Sequence, residues 1–259
     1  MLNSKEVAIH AQNLFAAEQS CTPISPLTDS VASLSEEDAY AVQRAGVALR
    51  GGRPVGYKLG YTSAAMRQQM NIDHPNYGVL TDAMVIDEEG GSIPFGALIH
   101  PLVEPEIALV IGRDVTTPVA SRAEMLCHVG AVSAALEIVD TRYTAYRFKA
   151  PDNIADNSSA ARYVLGPPVP VSRAPDLRLI GVLLWSGGCV VDQGVGASAL
   201  GDPLLAAMWL ANRLLVEGKV LAAGETILTG GLTRAHAATR GASFVGEFAS
   251  LGCVRASFG

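Results

Sequence analysis

The stretch Val103-Glu104-Pro105-Glu106-Ile107-Ala108-Leu109-Val110-Ile111-Gly112 sets two acids two residues apart inside a segment otherwise built for burial. In a strand, alternate side chains share a face, so both carboxylates point the same way. Two like charges on one apolar face repel and lose hydration. Such a pair persists only with a cation, a proton or a donor network to compensate it. Carboxylate oxygens suit hard divalent cations such as Mg²⁺ or Mn²⁺. The other reading is a wet face of an edge strand, which Pro105 would permit. On the pattern alone the two stand level.

Glu137 lies in Val132-Ser133-Ala134-Ala135-Leu136-Glu137-Ile138-Val139-Asp140, preceded only by apolar and small residues, so it too reads as buried or cleft-facing. Three carboxylates and a few waters would make an octahedral site with positions left for substrate oxygens. Lys58, in Tyr57-Lys58-Leu59-Gly60-Tyr61-Thr62-Ser63, could hold a carboxylate, although an isolated strand lysine more often snorkels to water. Asp82 is a candidate proton carrier or an ordinary turn residue. Ala155-Asp156-Asn157-Ser158-Ser159 could bind ligand or form a polar turn. Thr229-Gly230-Gly231-Leu232-Thr233 could bring backbone N–H groups to an anion or be a tight turn. Arg142, Arg147 and Lys149, among Tyr143, Tyr146 and Phe148, offer cations for a second carboxylate or a solvated stretch.

The chain has 259 residues, 49% hydrophobic, enough for a full core. A net charge of -6 gives no electrostatic reason to expect nucleic acid or an anionic membrane as partner. Cys21, Cys127, Cys189 and Cys253 form no CxxC pair and read as reduced, mostly buried thiols of a cytoplasmic protein. The five histidines show no HxH or HExxH spacing, which argues against zinc. No signal peptide is visible, and no run of 18 apolar residues marks a membrane span.

Helices are expected over 3–19, where Asn3 and Glu6 fit a capping box, over 35–50, over 123–139 and over 204–216 after the Asp202-Pro203 start signal. Short β-like runs separated by Gly, Pro and Asp turns fill much of the rest from Val55 on. A division near Glu88-Glu89-Gly90-Gly91-Ser92 separates a small N-terminal α/β region, 1–90, from a larger domain, 91–259.

Taken in order, GYKLGYTS (56–63), YGVLTD (77–82), EPE (104–106) with Glu137, ADNSS (155–159), LGDPLLAAMWLAN (200–212) and LTGGLT (228–233) resemble the fumarylacetoacetate hydrolase superfamily, in its hydratase/decarboxylase branch, over nearly the whole chain. The resemblance implies an α+β fold: a mixed β-structure with flanking helices behind a small helical N-terminal region. It implies Mg²⁺ (or Mn²⁺) held by Glu104, Glu106 and Glu137, and a small 2-oxo acid substrate. One activity of the branch hydrates 2-hydroxypenta-2,4-dienoate; the other decarboxylates 2-oxohex-3-enedioate (4-oxalocrotonate). The Asp140-Thr141-Arg142-Tyr143-Thr144-Ala145-Tyr146-Arg147-Phe148 segment, the position of Asp82 and Gly230-Gly231-Leu232-Thr233 are more similar to the decarboxylase. Tyr61 departs from the usual Leu. Implied catalytic residues are Lys58, holding the C1 carboxylate or the enolate oxygen, and Asp82, managing a proton. Implied substrate contacts are Ser63, Arg142, Arg147, Ser159, Gly231 and Thr233. The resemblance also implies a homo-oligomer and a possible complex with a partner hydratase or decarboxylase, in which a non-catalytic subunit is the alternative from another class. An acylpyruvase ranks low, because His10 on the first helix is poorly placed to activate water.

Overall fold

The computed structural model describes residues 1–64, 67–68, 72–86 and 91–259. Helix α1 (Ser4–Ser20) opens with the expected capping box, in which Asn3 accepts from Glu6 N and Glu6 accepts from Asn3 N. Helix α2 (Glu36–Arg50) starts at Ser35, whose hydroxyl accepts from Asp38 N, and ends at Gly51. Then come β1 (Pro54–Gly60), β2 (Asn76–Thr81), β3 (Val85–Ile86), β4 (Ser92–Ile93) and β5 (Leu102–Ile111). Helix α3 (Arg122–His128) leads into β6 (Val129–Val139), and α4 (Ala150–Ala155) into β7 (Ala160–Leu165) and β8 (Val169–Pro170). The hairpin of β9 (Gly181–Ser186) and β10 (Cys189–Val195) precedes α5 (Pro203–Val216). Last come β11 (Thr226–Leu228), β12 (His236–Ala237), β13 (Ser243–Phe248) and β14 (Gly252–Phe258).

A nine-stranded mixed sheet runs β2-β1-β11-β5-β6-β7-β3, with β12 on β5 and β8 on β6. Only Asp82–Met84 separates the two edge strands β2 and β3 in sequence. Seven strands laid flat would put those edges roughly 29 Å apart, whereas a few residues span about 10–15 Å. The sheet therefore curls into a half-closed barrel with a concave inner face. Its outer face carries Tyr57, Leu59, Tyr77, Ile107, Leu109, Leu136 and Ile138 into the main core. The second sheet, β10-β9-β13-β14-β4, packs on β6.

The segment 123–139 differs from expectation. Only Arg122–His128 is helical, and Val129–Val139 is a strand paired with β5 on one side and β7 on the other. Continuous apolarity suits a strand buried on both faces as well as a core helix, and periodicity does not separate them. The thiols differ too: Cys127, Cys189 and Cys253 are exposed and Cys21 is partly so. Each sits at a helix end or on a second-sheet strand facing solvent rather than in the core. Residues 87–90, where the domain division was expected to fall, lie outside the described residues. β1, β2 and β3 before it share one sheet with β5, β6 and β7 after it. Gly196–Val216 is apolar enough to cross a membrane, yet half of its most apolar window is buried. Leu204, Ala207, Leu210 and Leu214 of α5 fill the core, so its apolarity serves packing.

Candidate metal centre

In the antiparallel register of β5 and β6, Glu104 lies directly opposite Glu137, and Glu106 opposite Ala135. Opposed residues share a face, and so do residues two apart, so all three acids point into the concave side. One ligand oxygen from each lies within 4.8 Å of the others. Glu106 and Glu137 are fully buried, and Glu104 is partly exposed at the open end. Lys58 starts from β1, which is separated from β6 by β11 and β5, yet its Nζ is 3.2 Å from Glu137 Oε2. Its side chain therefore crosses the hollow instead of snorkelling outward.

Burial pushes the carboxyls up. Glu104 rises to about 7, through desolvation and the Glu137 charge, against the opposing pull of Lys58. Glu106 rises well above the usual range through desolvation and its two acidic neighbours, and Glu137 rises through desolvation. Burial alone would lower the Lys58 ammonium, but Glu137, Glu104 and Glu106 outweigh it and hold it above its ordinary value.

The donor set fits a hard divalent cation. Among the described residues, the buried oxygens Glu106 Oε1 and Glu137 Oε1 have no hydrogen-bond partner, a state that costs about 1–3 kcal/mol or more for each charged group. With all three acids ionised, as metal ligands must be, three carboxylates less one ammonium leave two negative charges to be met. An all-oxygen set is what Mg²⁺ or Mn²⁺ takes.

The loop after β11 closes one side. Gly230 N–H donates to Glu106 Oε2 at 2.7 Å, Leu232 N–H to Pro105 O at 2.9 Å, and Thr229 Oγ1 to Ile107 O at 2.7 Å. Gly230 has φ +109°, and a Cβ there would fall 2.0 Å from Thr62 Oγ1. A Cβ at Gly231 would meet Glu104 Oε2 at 3.1 Å, so the glycine pair brings backbone against both acids. Ser63 sits one residue beyond the buried Thr62. Thr233 is half-buried at the end of this loop, with its hydroxyl on Arg234 O.

The polar knot holds Lys58 from the other side. Ser158 O accepts from Lys58 Nζ at 3.0 Å. Asn157, Ser158 and Ser159 all have positive φ, 54°, 53° and 58°, an arrangement costing L-residues about 1–2 kcal/mol each. Asn157 clamps β2 by accepting from Val79 N at 2.8 Å and donating to Val79 O at 2.9 Å. Ser159 Oγ accepts from Asn153 Nδ2 at 3.0 Å, so this hydroxyl serves the knot.

Two expected site residues stand elsewhere. Asp82 follows β2, whose Gly78 is the register partner of Lys58, so it is roughly 13 Å further along the strand direction. Leu80, Met84, Ala108, Ala135, Tyr163 and Leu228 plug the hollow below the acids. Asp82 lies at the plugged end, exposed, accepting from Arg53 N at 2.9 Å. Arg142 is buried, and four of its donor contacts go to Asp156 Oδ1, Asp156 O, Asp140 O and Ala160 O. A guanidinium so occupied is not offered to a substrate. Arg147 is exposed at the rim, next to Tyr146, whose hydroxyl bonds Val139 O at 3.1 Å. The Ser158 carbonyl has no counterpart in the sequence reading, whereas the Gly230 amide is one of the backbone N–H groups that the glycine pair could bring to an anion, here Glu106. A backbone group carries no residue-type signal; only the glycine pair and the polar run hinted at them.

The profile of the family described as "Fumarylacetoacetate (FAA) hydrolase C-terminal" matches residues 55–258. The chain belongs to this family. The fumarylacetoacetate hydrolase match runs from β1 to β14 and contains all four residues of the cluster; α1 and α2 precede it. The chain is similar to 2-keto-4-pentenoate hydratase of Paraburkholderia xenovorans (strain LB400), 41% identical over 96% of this chain and 93% of that one. It is similar to 4-oxalocrotonate decarboxylase of Pseudomonas putida, 35% identical over 99% and 98%. Among solved structures of the family, it superimposes on 4-oxalocrotonate decarboxylase from Pseudomonas putida G7 complexed with magnesium and adipate. That match has TM-score 0.95 and 32% identity and covers 100% of this chain and 99% of that chain.

Proposed function

We propose that this chain is a metal-dependent lyase that removes CO₂ from a 2-oxo-enedioate of the 4-oxalocrotonate type, giving a 2-hydroxydienoate in the breakdown of aromatic-ring cleavage products. The observation that carries the reading is the three-carboxylate cluster with Lys58 crossing to it, at the open end of the hollow. The close likeness to a decarboxylase structure complexed with magnesium and adipate, a six-carbon diacid, supports the substrate class.

Glu104, Glu106 and Glu137 would hold Mg²⁺ (or Mn²⁺). When bound, the ion supplies positive charge beside the C2 oxygen of a 2-oxo acid. In the substrate the C5–C6 bond breaks and C6 leaves as CO₂. Its electron pair forms C4=C5, the C3=C4 pair moves to C2=C3, and the C2=O pair settles on oxygen. Protonation of that oxygen gives the 2-hydroxydienoate. Lys58, kept charged by the acids around it, faces the C1 carboxylate or the developing oxyanion as an electrostatic stabiliser rather than a base. Glu106 and Glu137 are fixed from behind by the Gly230 amide and the Lys58 ammonium. Arg147, exposed at the rim, is the cation we assign to the leaving carboxylate; loose rim contact suits a group that must depart. Gly231, whose backbone lies against Glu104, together with Ser63 and Thr233, completes the substrate contacts we propose.

The second reading is 2-keto-4-pentenoate hydratase, favoured by the 41% identity to that enzyme. It uses the same enolate chemistry and adds water to the diene. Incubation with 4-oxalocrotonate and Mg²⁺, and separately with 2-hydroxypenta-2,4-dienoate, decides between them. Decarboxylation predicts CO₂ release in the first; water addition in the second alone would overturn it in favour of the hydratase. A non-catalytic partner subunit would give neither reaction. We infer a homo-oligomer from the family resemblance, which sedimentation would show as a mass above that of one 27.0 kDa chain.

A further inference from the structure

Arg142 reads from the sequence as a hand for the substrate, but its contacts run inward. Its Nε and one Nη reach Asp156 Oδ1 and Asp156 O, and its backbone N–H donates to Asp156 Oδ2 at 3.0 Å. Thr141 Oγ1 donates to the same Oδ2 at 2.8 Å. The other Nη donates to Asp140 O at 2.7 Å and Ala160 O at 3.3 Å. Asp156 is thus held at side chain and backbone together, by a planar fork that a lysine does not reproduce.

Asp156 is the residue from which the left-handed run Asn157-Ser158-Ser159 starts. That run is closed by Ser159 N–H donating to Asp156 O at 3.1 Å and by Asp140 N–H donating to Ser159 O at 2.8 Å. Three successive L-residues in this region hold only where their surroundings fix them. The run turns Ser158 O onto Lys58 Nζ at 3.0 Å. Besides that carbonyl, Nζ is in ion-pair contact with Glu137 Oε2 at 3.2 Å, and among the described residues it donates to no other acceptor, so it keeps N–H capacity for a ligand.

We propose that Arg142 is a positioning residue for Lys58, acting through Asp156 and the Asn157–Ser159 run rather than by touching substrate. Arg142 and Asp156 fix the carbonyl that fixes the ammonium. The proposal rests on Lys58 binding an acid group beside the metal.

Oxalate, a two-carboxylate chelator, is the probe. Calorimetry measures its affinity for the Mg²⁺-loaded wild type, K58M, R142K, the K58M/R142K double variant and T141V, and the affinity of each for Mg²⁺ alone. The expected result is oxalate binding weakened about tenfold in R142K, the low end of losses for groups that orient ligands. Thr141→Val, which removes one hydroxyl from Asp156, is expected to weaken it about threefold. Mg²⁺ affinity changes less than oxalate affinity in both, because the three acids themselves are untouched and only the Lys58 contact to Glu137 shifts. The double variant binds oxalate as K58M does, since Arg142 has nothing left to position. If R142K does not fold, T141V decides. Oxalate affinity unchanged in these variants, loss of Mg²⁺ affinity in parallel, or a further loss in the double variant beyond K58M would overturn the proposal. Failure of Mg²⁺-loaded wild type to bind oxalate is a different result: it would overturn the reading of the site, and this inference with it.

Discussion

Glu104 differs from Glu106 and Glu137 in being partly open to solvent, and burial and the Glu137 charge still push its carboxyl up to about 7. An acid raised in the folded state stabilises the protein fully below its unfolded value, near 4.5, and that stability is lost as pH rises through about 7. Metal-free protein is therefore expected to lose thermal stability between pH 4.5 and 8, and Glu104→Gln to flatten that fall; melting curves across the range check it. A metal ligand must lose its proton, so Mg²⁺ affinity rises with pH through about 7. Calorimetric affinities that stayed level from pH 6 to 8 would contradict this. At the same scale, the local pattern around Lys58 favours a lysine reaching water, and only the ordered motifs point it at the acids, where its Nζ lies 3.2 Å from Glu137 Oε2. Asp82 is a turn residue by its local pattern and a proton carrier only by the resemblance; that it stands at the plugged end depends on strand direction, which its sequence position does not disclose.

The paired strands β5 and β6 set the cluster, since register alone brings Glu104 opposite Glu137. The EPE spacing made the face of β5 readable. That β6 is a strand was not readable, because a segment buried on both sides loses the alternation that marks strands. The knot against β2 was no more visible, since its close fit depends on backbone. A Cβ at Gly78 would lie 2.3 Å from Asn157 O, and one at Gly60 would lie 2.2 Å from Asn76 Oδ1. Gly78→Ala is expected to cost about 1–3 kcal/mol, as overpacking does. Because the clash is with the run that seats Lys58, it is also expected to lower turnover. Urea unfolding measures the first and steady-state kinetics the second; wild-type values for both would show that β2 and the knot are not in tight contact.

Over the whole molecule, a curled sheet makes a hollow that is plugged at one end by Leu80, Met84, Tyr163 and Leu228 and open at the other, where the acids stand. The ordered motifs carried this architecture into the sequence reading through the family they resemble; several of them, EPE, Glu137, ADNSS and LTGGLT, meet around Lys58 at the acid cluster. The division at residue 90 did not follow from them: a composition shift does not show that strands on either side pair into one sheet. The central claim is that the three acids form one divalent cation site. Its most direct test is titration of the protein with Mn²⁺, followed by electron paramagnetic resonance of the free ion. The account predicts one Mn²⁺ taken up per chain by wild type, displaced by Mg²⁺. It predicts that uptake falls by at least about tenfold in affinity in a folded Glu106→Gln variant, whose metal-dependent turnover is abolished. Equal Mn²⁺ uptake by the two proteins, or full Glu106→Gln activity in EDTA, would contradict it.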